Sequence, residues 1–512
     1  MKKCNRIIAV LLIALMLIPT FIACANDNTA NTPDDTTVNP SSPTETTTAP
    51  AGADSTETEP AETDRADIKD NLPADLYLGG KTITVLTRSG NYRELDIDGA
   101  GQETGDVLKD AVYNRTRTVE ERLHFTLNVI ENSEGYKQTG TQVLNAVMSG
   151  DDTYQIVSCS CNGTMGASLD YIFQSVEDAK YLDFDQPWWW KDAILEGSMD
   201  GKTIRYFFGD ANLTSYNYSG AILFNKTLYE KGIGSSEELY QLVLDRKWTW
   251  DKLGEYAQQL GHDLNGNDTI ELEDLHGLYL DTKEYIKFFE YSTTLRRYTR
   301  DADGFPVVDY DVDHATAIVE KLYSLIYETP GVYWDSAEKS RRRDVFANGN
   351  VVFYATLLGD AYNSTVREMS NPYGIIPYPM FDEAQGEYST FIHGSSATFA
   401  IPTTNTDLDS TSAVLEALCA ESYRSVIQVY FETCLKAKYS SDSQSAQCVD
   451  IIRNVSKKYL LDNYGSQAGN SGTMITEIIA AGSTNFASSY AGKAKVANRQ
   501  LQELVKTLKY TD

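Results

Sequence analysis

Between Asp263 and Asp274 the chain reads Asp-Leu-Asn-Gly-Asn-Asp-Thr-Ile-Glu-Leu-Glu-Asp, which sets oxygen donors at the spacing a hard cation requires. Counted as a twelve-position loop, Asp263, Asn265, Asn267, Glu271 and Asp274 stand at positions 1, 3, 5, 9 and 12, and Thr269 offers its carbonyl at position 7. Asp268 occupies the position where such loops turn on glycine, and Asp274 the one where a bidentate glutamate is usual. The pattern predicts a structural calcium ion pinning a surface loop; a solvated Asn/Asp-rich connection between helices is the alternative. Catalytic constellations are missing: the chain has 5 histidines and no HExxH, GxSxG or GxxxxGK(S/T) run. A glycoside hydrolase needs only two carboxylates, and 73 Asp and Glu residues leave that chemistry open.

The elements that must position any site begin with a β-branched run, Lys81-Thr-Ile-Thr-Val-Leu-Thr87, which follows Gly79-Gly80 and predicts a buried strand. Asp106 to Leu123 carries Val107, Leu108, Ala111, Val112, Val119 and Leu123 near helical spacing. A strand over Phe125–Ile130, a helix over Tyr136–Met148 and a strand over Tyr154–Ser158 complete the pattern. Such alternation predicts a parallel sheet with helices on both faces. Further strands are expected at Thr203–Phe208, Gly220–Phe224, Val351–Tyr354 and Ala397–Ile401, with helices at Ser236–Asp245, Trp250–Leu260, Ala315–Tyr327 and Ser336–Ala347. The end of the chain, through Leu415–Ala437, Gln447–Leu461 and Thr473–Leu508, is expected to be mostly helical.

Ahead of these elements, Lys2, Lys3 and Arg6 precede an apolar run from Ile7 to Ile22 broken by Pro19, the pattern of a secretory leader over residues 1–23. The run is too short and kinked for a membrane span, which needs about 20 apolar residues. From Asn26 to about Asp67 the chain is almost all Thr, Pro, Asp, Glu, Ser and Ala, without Ile, Leu, Phe or Tyr. It cannot bury enough apolar area to offset its ordering entropy, so residues 24–74 are expected to form a disordered tether. The formal net charge of -29 argues against nucleic acid and anionic membrane surfaces as partners, and points to a neutral or cationic ligand. Cys159, Cys161, Cys419, Cys434 and Cys448 are irregularly spaced, which predicts free buried thiols rather than a disulfide framework or a zinc site.

Phe21-Ile22-Ala23-Cys24 resembles the lipobox of bacterial lipoproteins, with Phe21 where that family usually has leucine. The resemblance implies that the Cys24 thiol carries a diacylglycerol and holds the body at the outer face of the cell membrane or in a periplasm. Seven further phrases, in order, resemble the extracellular solute-binding proteins of ABC importers, in the sugar-type, family 1-like branch. They are Gly150-Asp-Asp-Thr-Tyr-Gln-Ile-Val157, Leu182-Asp-Phe-Asp-Gln-Pro-Trp-Trp-Trp190, Gly209-Asp210, Leu223-Phe-Asn-Lys226 before Tyr229-Glu-Lys-Gly-Ile233, Trp248-Thr-Trp-Asp-Lys-Leu253, Phe346-Ala-Asn-Gly-Asn350 and Tyr373-Gly-Ile-Ile-Pro-Tyr-Pro379.

The resemblance implies an α/β, two-lobe periplasmic-binding-protein-like fold of type II, with hinge strands and a helical C-terminal region. Its first lobe would comprise residues 75–210 and 385–430, its second 211–384, and 431–512 would be helices packing on the lobes. The function implied is capture of a small solute, a carbohydrate or oligosaccharide, in an interlobe cleft, with ABC permease subunits as partners. No enzyme activity, no cofactor apart from the calcium ion, and a monomeric body go with it. A polysaccharide-binding surface lipoprotein without a transporter, and a secreted glycoside hydrolase, are the alternatives.

Sugar recognition calls for flat apolar faces against the C–H face of a ring and for polar side chains against its hydroxyls. Trp188 and Trp189, with Trp190 beside them, supply such faces; successive rings point in different directions, so at most one or two reach a cleft, and packing of the lobe interior is the alternative. In the family, loops following strands line the cleft, which singles out Arg88, Ser89, Asn91 and Tyr92, then Asp210 and Asn212, then Tyr354 with Gly359 and Asp360, and finally His393 with Gly394. Asp210 and Asp360 are the preferred hydroxyl acceptors, with capping of a helix or turn as their alternative role.

Overall fold

A computed structural model describes residues 65–168, 171–268, 271–335, 342–435 and 443–509. The leader, Cys24 and most of the tether lie outside the described residues, as does Thr269. In chain order the strands are β1 (Lys81–Arg88), β2 (Phe125–Asn132), β3 (Ile156–Ser160), β4 (Gly220–Asn225), β5 (His276–Asp281), β6 (Tyr298–Arg300) and β7 (Pro306–Val308). They continue with β8 (Val332–Asp335), β9 (Val351–Leu357), β10 (Tyr373–Ile376), β11 (Thr390–Phe391), β12 (Ala397–Ala400) and β13 (Ser456–Lys457).

These strands build two α/β lobes. The first has a 4-stranded sheet ordered β12-β3-β1-β2, and the second a 5-stranded sheet ordered β10-β4-β9-β5-β8. β1 is central because Ile83, Val85 and Leu86 are buried on both faces, as its continuous apolar run requires. Its neighbours β2 and β3 run parallel to it, with Val85 opposite Val129 and Ile156. Both sheets are mixed rather than parallel throughout: β12 lies antiparallel to β3, and β4 lies antiparallel to both β9 and β10. The alternation rule describes β1 to β3, where helices intervene, and stops where a strand returns from the distant chain to close a sheet edge.

Helix Val107–Leu123 starts where the Asp106 carboxylate accepts the N–H groups of Leu108 and Lys109, and ends at His124 with φ 53°. Helix Trp250–Leu260 is capped by Thr249 and buries Trp250, Leu253, Tyr256, Ala257 and Leu260 along one stripe. The strand expected at Thr203–Phe208 does not form. Asp200 takes the N–H groups of Lys202 and Thr203 into a turn; the Ile204 and Phe208 carbonyls accept single bonds from Val176 and Trp190, and only Phe207 forms a β-bridge, with Phe399. The helix expected to run to Tyr327 is α-helical from Val312 to Tyr323 and closes in a π-turn at Ser324–Glu328. Of Ser336–Ala347, the described part is helical from Arg342 to Ala347. Cys159, Cys161, Cys419 and Cys448 are buried and form no disulfide among the described residues, while the Cys434 side chain lies outside the description.

Three chain segments cross between the lobes side by side. Ser219 bridges Ile392 antiparallel, and β11 pairs parallel with β13 through Phe391 and Lys457. The Ser456 hydroxyl lies 3.0 Å from that of Ser219 and ties the outer segments together. Gly220 is needed at this point, since a Cβ there would lie 2.3 Å from Phe288 Cδ1 and 2.6 Å from Thr390 Oγ1. Helix Ser443–Val455 spans the same junction: Ser445 Oγ accepts from Ile375 N–H in the second sheet, and Arg453 donates to Pro187 and Asp210 on the first-lobe side.

The tether expected to continue to residue 74 gives way at Arg65, because partners for its residues exist on the folded body. Arg65 pairs with Asp450 and lies over the rings of Tyr423 and Phe431, and Asp70 receives the guanidinium of Arg122.

Candidate functional site

The segment His393–Ser395 leads out of the crossing strand β11 into β12, and residues that follow three different strands meet it. Tyr92, just after β1, donates its hydroxyl to the Ser395 carbonyl at 2.6 Å. Asn162, just after β3, donates its N–H to the Gly394 carbonyl at 3.0 Å. Glu284, just after β5, brings Oε2 within 3.8 Å of His393 Nε2. The carboxyl ends of parallel strands from both sheets therefore converge on one crossing segment, the place where open α/β sheets hold ligands.

Within this junction, the Arg88 guanidinium lies 4.3 Å from the centre of the Tyr92 ring and makes no ion pair among the described residues. Tyr92 is buried and Asn91 exposed, so the first presents a fixed face to Arg88 and the second a free amide. Burial, followed by the neighbouring Lys458 and Lys287 charges, lowers the His393 imidazole to about 4. It is neutral at pH 7, and because Nδ1 accepts the Ser395 N–H at 3.2 Å, the proton sits on Nε2 and points toward Glu284. Tyr218 stacks on the imidazole at 5.8 Å. Nearby, Lys287 and Lys458 share Asp462; burial alone would raise its carboxyl, but the two ammonium groups hold it well below the usual carboxylate range. The junction thus offers a neutral donor, a carboxylate acceptor, a guanidinium and two aromatic faces.

Other expected residues are placed elsewhere. Trp188 and Trp189 are buried in the first lobe, where both indole N–H groups donate to Glu416, at 3.0 and 2.9 Å. Trp189 also packs edge-on against Phe207 at 5.6 Å, so packing of the interior accounts for these rings. Asp210 is buried, and its Oδ1 already accepts from Trp190 Nε1 at 2.7 Å, from the Tyr216 hydroxyl at 2.9 Å and from Arg453 at 3.3 Å, so it holds together the first-lobe interior. Asn212 is buried beside it, and its side-chain amide finds no partner among the described residues. Tyr354 and Asp360 are bonded to each other at 2.7 Å, and Asp360 also receives Arg343 at 2.7 Å and faces Arg342 at 3.7 Å. Both are therefore taken up by the second lobe's own charge lattice.

In the acidic loop, Asp263 accepts the N–H groups of Asn265, Gly266 and Asp268, and Asp274 those of Leu264 and Glu271. Asn265 accepts from Asn267 N–H, and the Asn267 amide reaches Glu271 at 3.3 Å. Among the described residues no three His, Cys, Asp or Glu side chains converge to hold a metal, here or elsewhere. The carboxylates order the loop by bonding its own backbone, the role Asp and Asn side chains take in turns.

Glu284, Tyr218, Asn162 and the Lys287–Asp462–Lys458 group were not legible from the sequence. Glu284 and Lys287 follow β5, whose short run His276-Gly-Leu-Tyr-Leu-Asp281 hides behind the acidic loop, and Asp462 lies some 180 residues further along.

The sequence matches no protein-family model and no curated protein. Solved structures do match over most of the chain. The cyclo/maltodextrin-binding protein complexed with maltotetraose aligns with a TM-score of 0.51 at 10% identity, covering 84% of this chain and 97% of that one. The GacH receptor of Streptomyces glaucescens, solved without ligand and with acarbose, aligns at 0.50 and 11% identity over 83% of this chain and 99% of the receptor. This chain has the same two-lobe α/β fold as these two binding proteins. An extracellular solute-binding protein of family 1 from Alicyclobacillus acidocaldarius shares the same solute-binding fold, at 0.50 and 12% identity over 82% of this chain and 98% of that one.

Proposed function

We propose that this protein is the substrate-binding component of an ABC importer, exported and held by a lipid on Cys24. It captures a small carbohydrate or oligosaccharide between its lobes and presents the closed form to a permease. The observation that carries this reading is the convergence of the ends of β1, β3 and β5 on His393–Ser395, within the chain that crosses between lobes. A ligand there would touch both lobes and the hinge at once, so its binding energy would favour closure. Arg88, Asn91, Tyr92 and His393 face it in this reading, with Glu284, Asn162 and Tyr218 beside them. The neutral His393 donor and the Glu284 acceptor suit hydroxyl groups, and the maltotetraose and acarbose in two of the fold's relatives are polyhydroxylated ligands of that kind.

The test is a thermal melt of the mature protein against a panel of oligosaccharides, with chromatography of the sugar afterwards. A matching ligand at a hundred times its dissociation constant stabilises the fold by about 2.7 kcal/mol and is recovered intact. Small-angle scattering should show a smaller radius of gyration on binding. Release of a shorter sugar would replace this reading with a hydrolase, and an unchanged radius with ligand bound would remove the closure step.

A further inference from the structure

A second recess lies on the flank of the crossing strands, separate from the residues that meet His393–Ser395. It has a volume of about 330 Å³ and is lined by Glu196, by the stretch Thr293–Tyr298, and by Glu387, Ser389, Lys457, Tyr459 and Leu461. Its walls come from the chain before the first crossing, from the second lobe and from the crossing strands themselves. Its size falls in the range of small-molecule sites, about 300–1,000 Å³.

The chemistry of its lining is specific. The guanidinium groups of Arg296 and Arg297 are already matched by Asp309 and by Glu290, the latter at 3.5 Å. That leaves Lys457, which makes no ion pair among the described residues, and Glu196 as opposed charges within the recess, with exposed Glu387 at its rim. One Glu196 oxygen accepts the Tyr298 hydroxyl at 2.8 Å, and the other is without a partner among the described residues. Tyr459 shares a hydrogen bond of 2.6 Å with Ser389, so the pair retains one further hydroxyl proton to donate. Arg297 lies 5.5 Å from the Tyr459 ring centre and fixes that ring in place.

We propose that this recess is a second ligand site, for a small neutral saccharide, distinct from the interlobe site. The free Glu196 oxygen accepts from the hydroxyls of a sugar, and Lys457 and the remaining hydroxyl proton of the Ser389–Tyr459 pair donate to them. Arg300 ties the recess to the other lobe by donating to the carbonyls of Met199, at 2.8 Å, and Ser198, at 3.0 Å. A bound molecule therefore contacts segments that belong to different lobes, and its affinity depends on their relative position. By linkage, a sugar in the recess alters affinity at the interlobe site and is itself altered by the same factor.

The experiment is a TROSY NMR titration of the whole mature protein with glucose, xylose and maltose as probes, each to tens of millimolar. It uses the wild type, Lys457→Ala and Thr294→Trp, the last filling the exposed mouth of the recess. At least one probe should shift the amides of Thr294, Ser389 and Tyr459 saturably. Lys457→Ala should weaken that binding about tenfold, the effect of one lost hydrogen bond, and Thr294→Trp should abolish it. Shifts at Tyr218 and His393 report the interlobe site, and Thr294→Trp, which closes the recess alone, tells which of the two a probe has entered, so loss of either reading leaves the other intact. The proposal is overturned when no probe shifts the recess amides, or when both variants leave those shifts unchanged.

Discussion

Replacing Asp210 with asparagine separates a structural role from a ligand-binding one. Asp210 has no exposed surface and is the acceptor for three donors: Trp190 Nε1, the Tyr216 hydroxyl and the Arg453 guanidinium. Asp210→Asn keeps the shape and can still accept from Trp190, but it leaves the Arg453 charge without a carboxylate, with only the Pro187 carbonyl and Asn454 Oδ1 as its remaining acceptors. Removing one partner of a buried pair costs about 3–5 kcal/mol, far more than the roughly 0–1 kcal/mol of a surface pair. Urea denaturation at pH 7 should therefore show a loss of about 3–5 kcal/mol for Asp210→Asn. The double variant with Arg453→Met should recover part of that loss, because the unpaired charge is then gone. Ligand affinity of the folded fraction should stay within about twofold, since a side chain with no exposed surface and three internal donors contributes little to binding. A stability loss under about 1 kcal/mol together with abolished binding would refute the reasoning and return Asp210 to the ligand.

Four further outcomes follow from the geometry. Burial pushes the Glu416 carboxyl up to about 7 despite its two indole donors, so between pH 4.5 and that value the folded state holds the extra proton. Its stabilising contribution is complete below pH 4.5 and is lost as pH rises through about 7, on the order of 3 kcal/mol in all; Glu416→Gln should flatten that limb in urea titrations at stepped pH. His393 behaves in the opposite sense: its contribution is present above pH 6.5 and is lost as pH falls toward about 4, and His393→Asn should remove that acid limb. In Gly394→Ala the new Cβ would lie 2.1 Å from Asn162 Oδ1, the end of an exposed side chain that can turn away, so melting should be nearly unchanged while calorimetry shows affinity weakened about tenfold. Gly220→Ala meets the buried Phe288 ring instead, and should cost about 1–3 kcal/mol in the same denaturation assay.

Local pattern alone carried the first three strands, the helices at 107–123 and 250–260, and the loops after strands as the place to look for a site. In each case the signal is short-range: β-branched runs, a 3.6-residue stripe, a capping side chain just ahead of it. Arg88, Asn91, Tyr92 and His393, which the proposed site uses, sit next to recognisable strands and were singled out for that reason. The strand expected at Thr203–Phe208 shows the limit, since its β-branched and aromatic composition is genuine but no neighbouring strand is in register to pair with it.

Tertiary structure alone decided which polar groups are free. Asp210 and Asp360 carry the same side chain as any cleft acceptor, and only the fold brings Arg453 from distant chain, with Trp190 and Tyr216, onto Asp210, and turns Arg343 and Tyr354 onto Asp360. Likewise, Glu284 is unremarkable on its helix until folding brings it opposite His393, 109 residues away in number, at 3.8 Å. A hydrogen-bonding group's availability depends on the full set of neighbours within a few ångströms, and those neighbours are set by long-range packing that spacing along the chain does not encode.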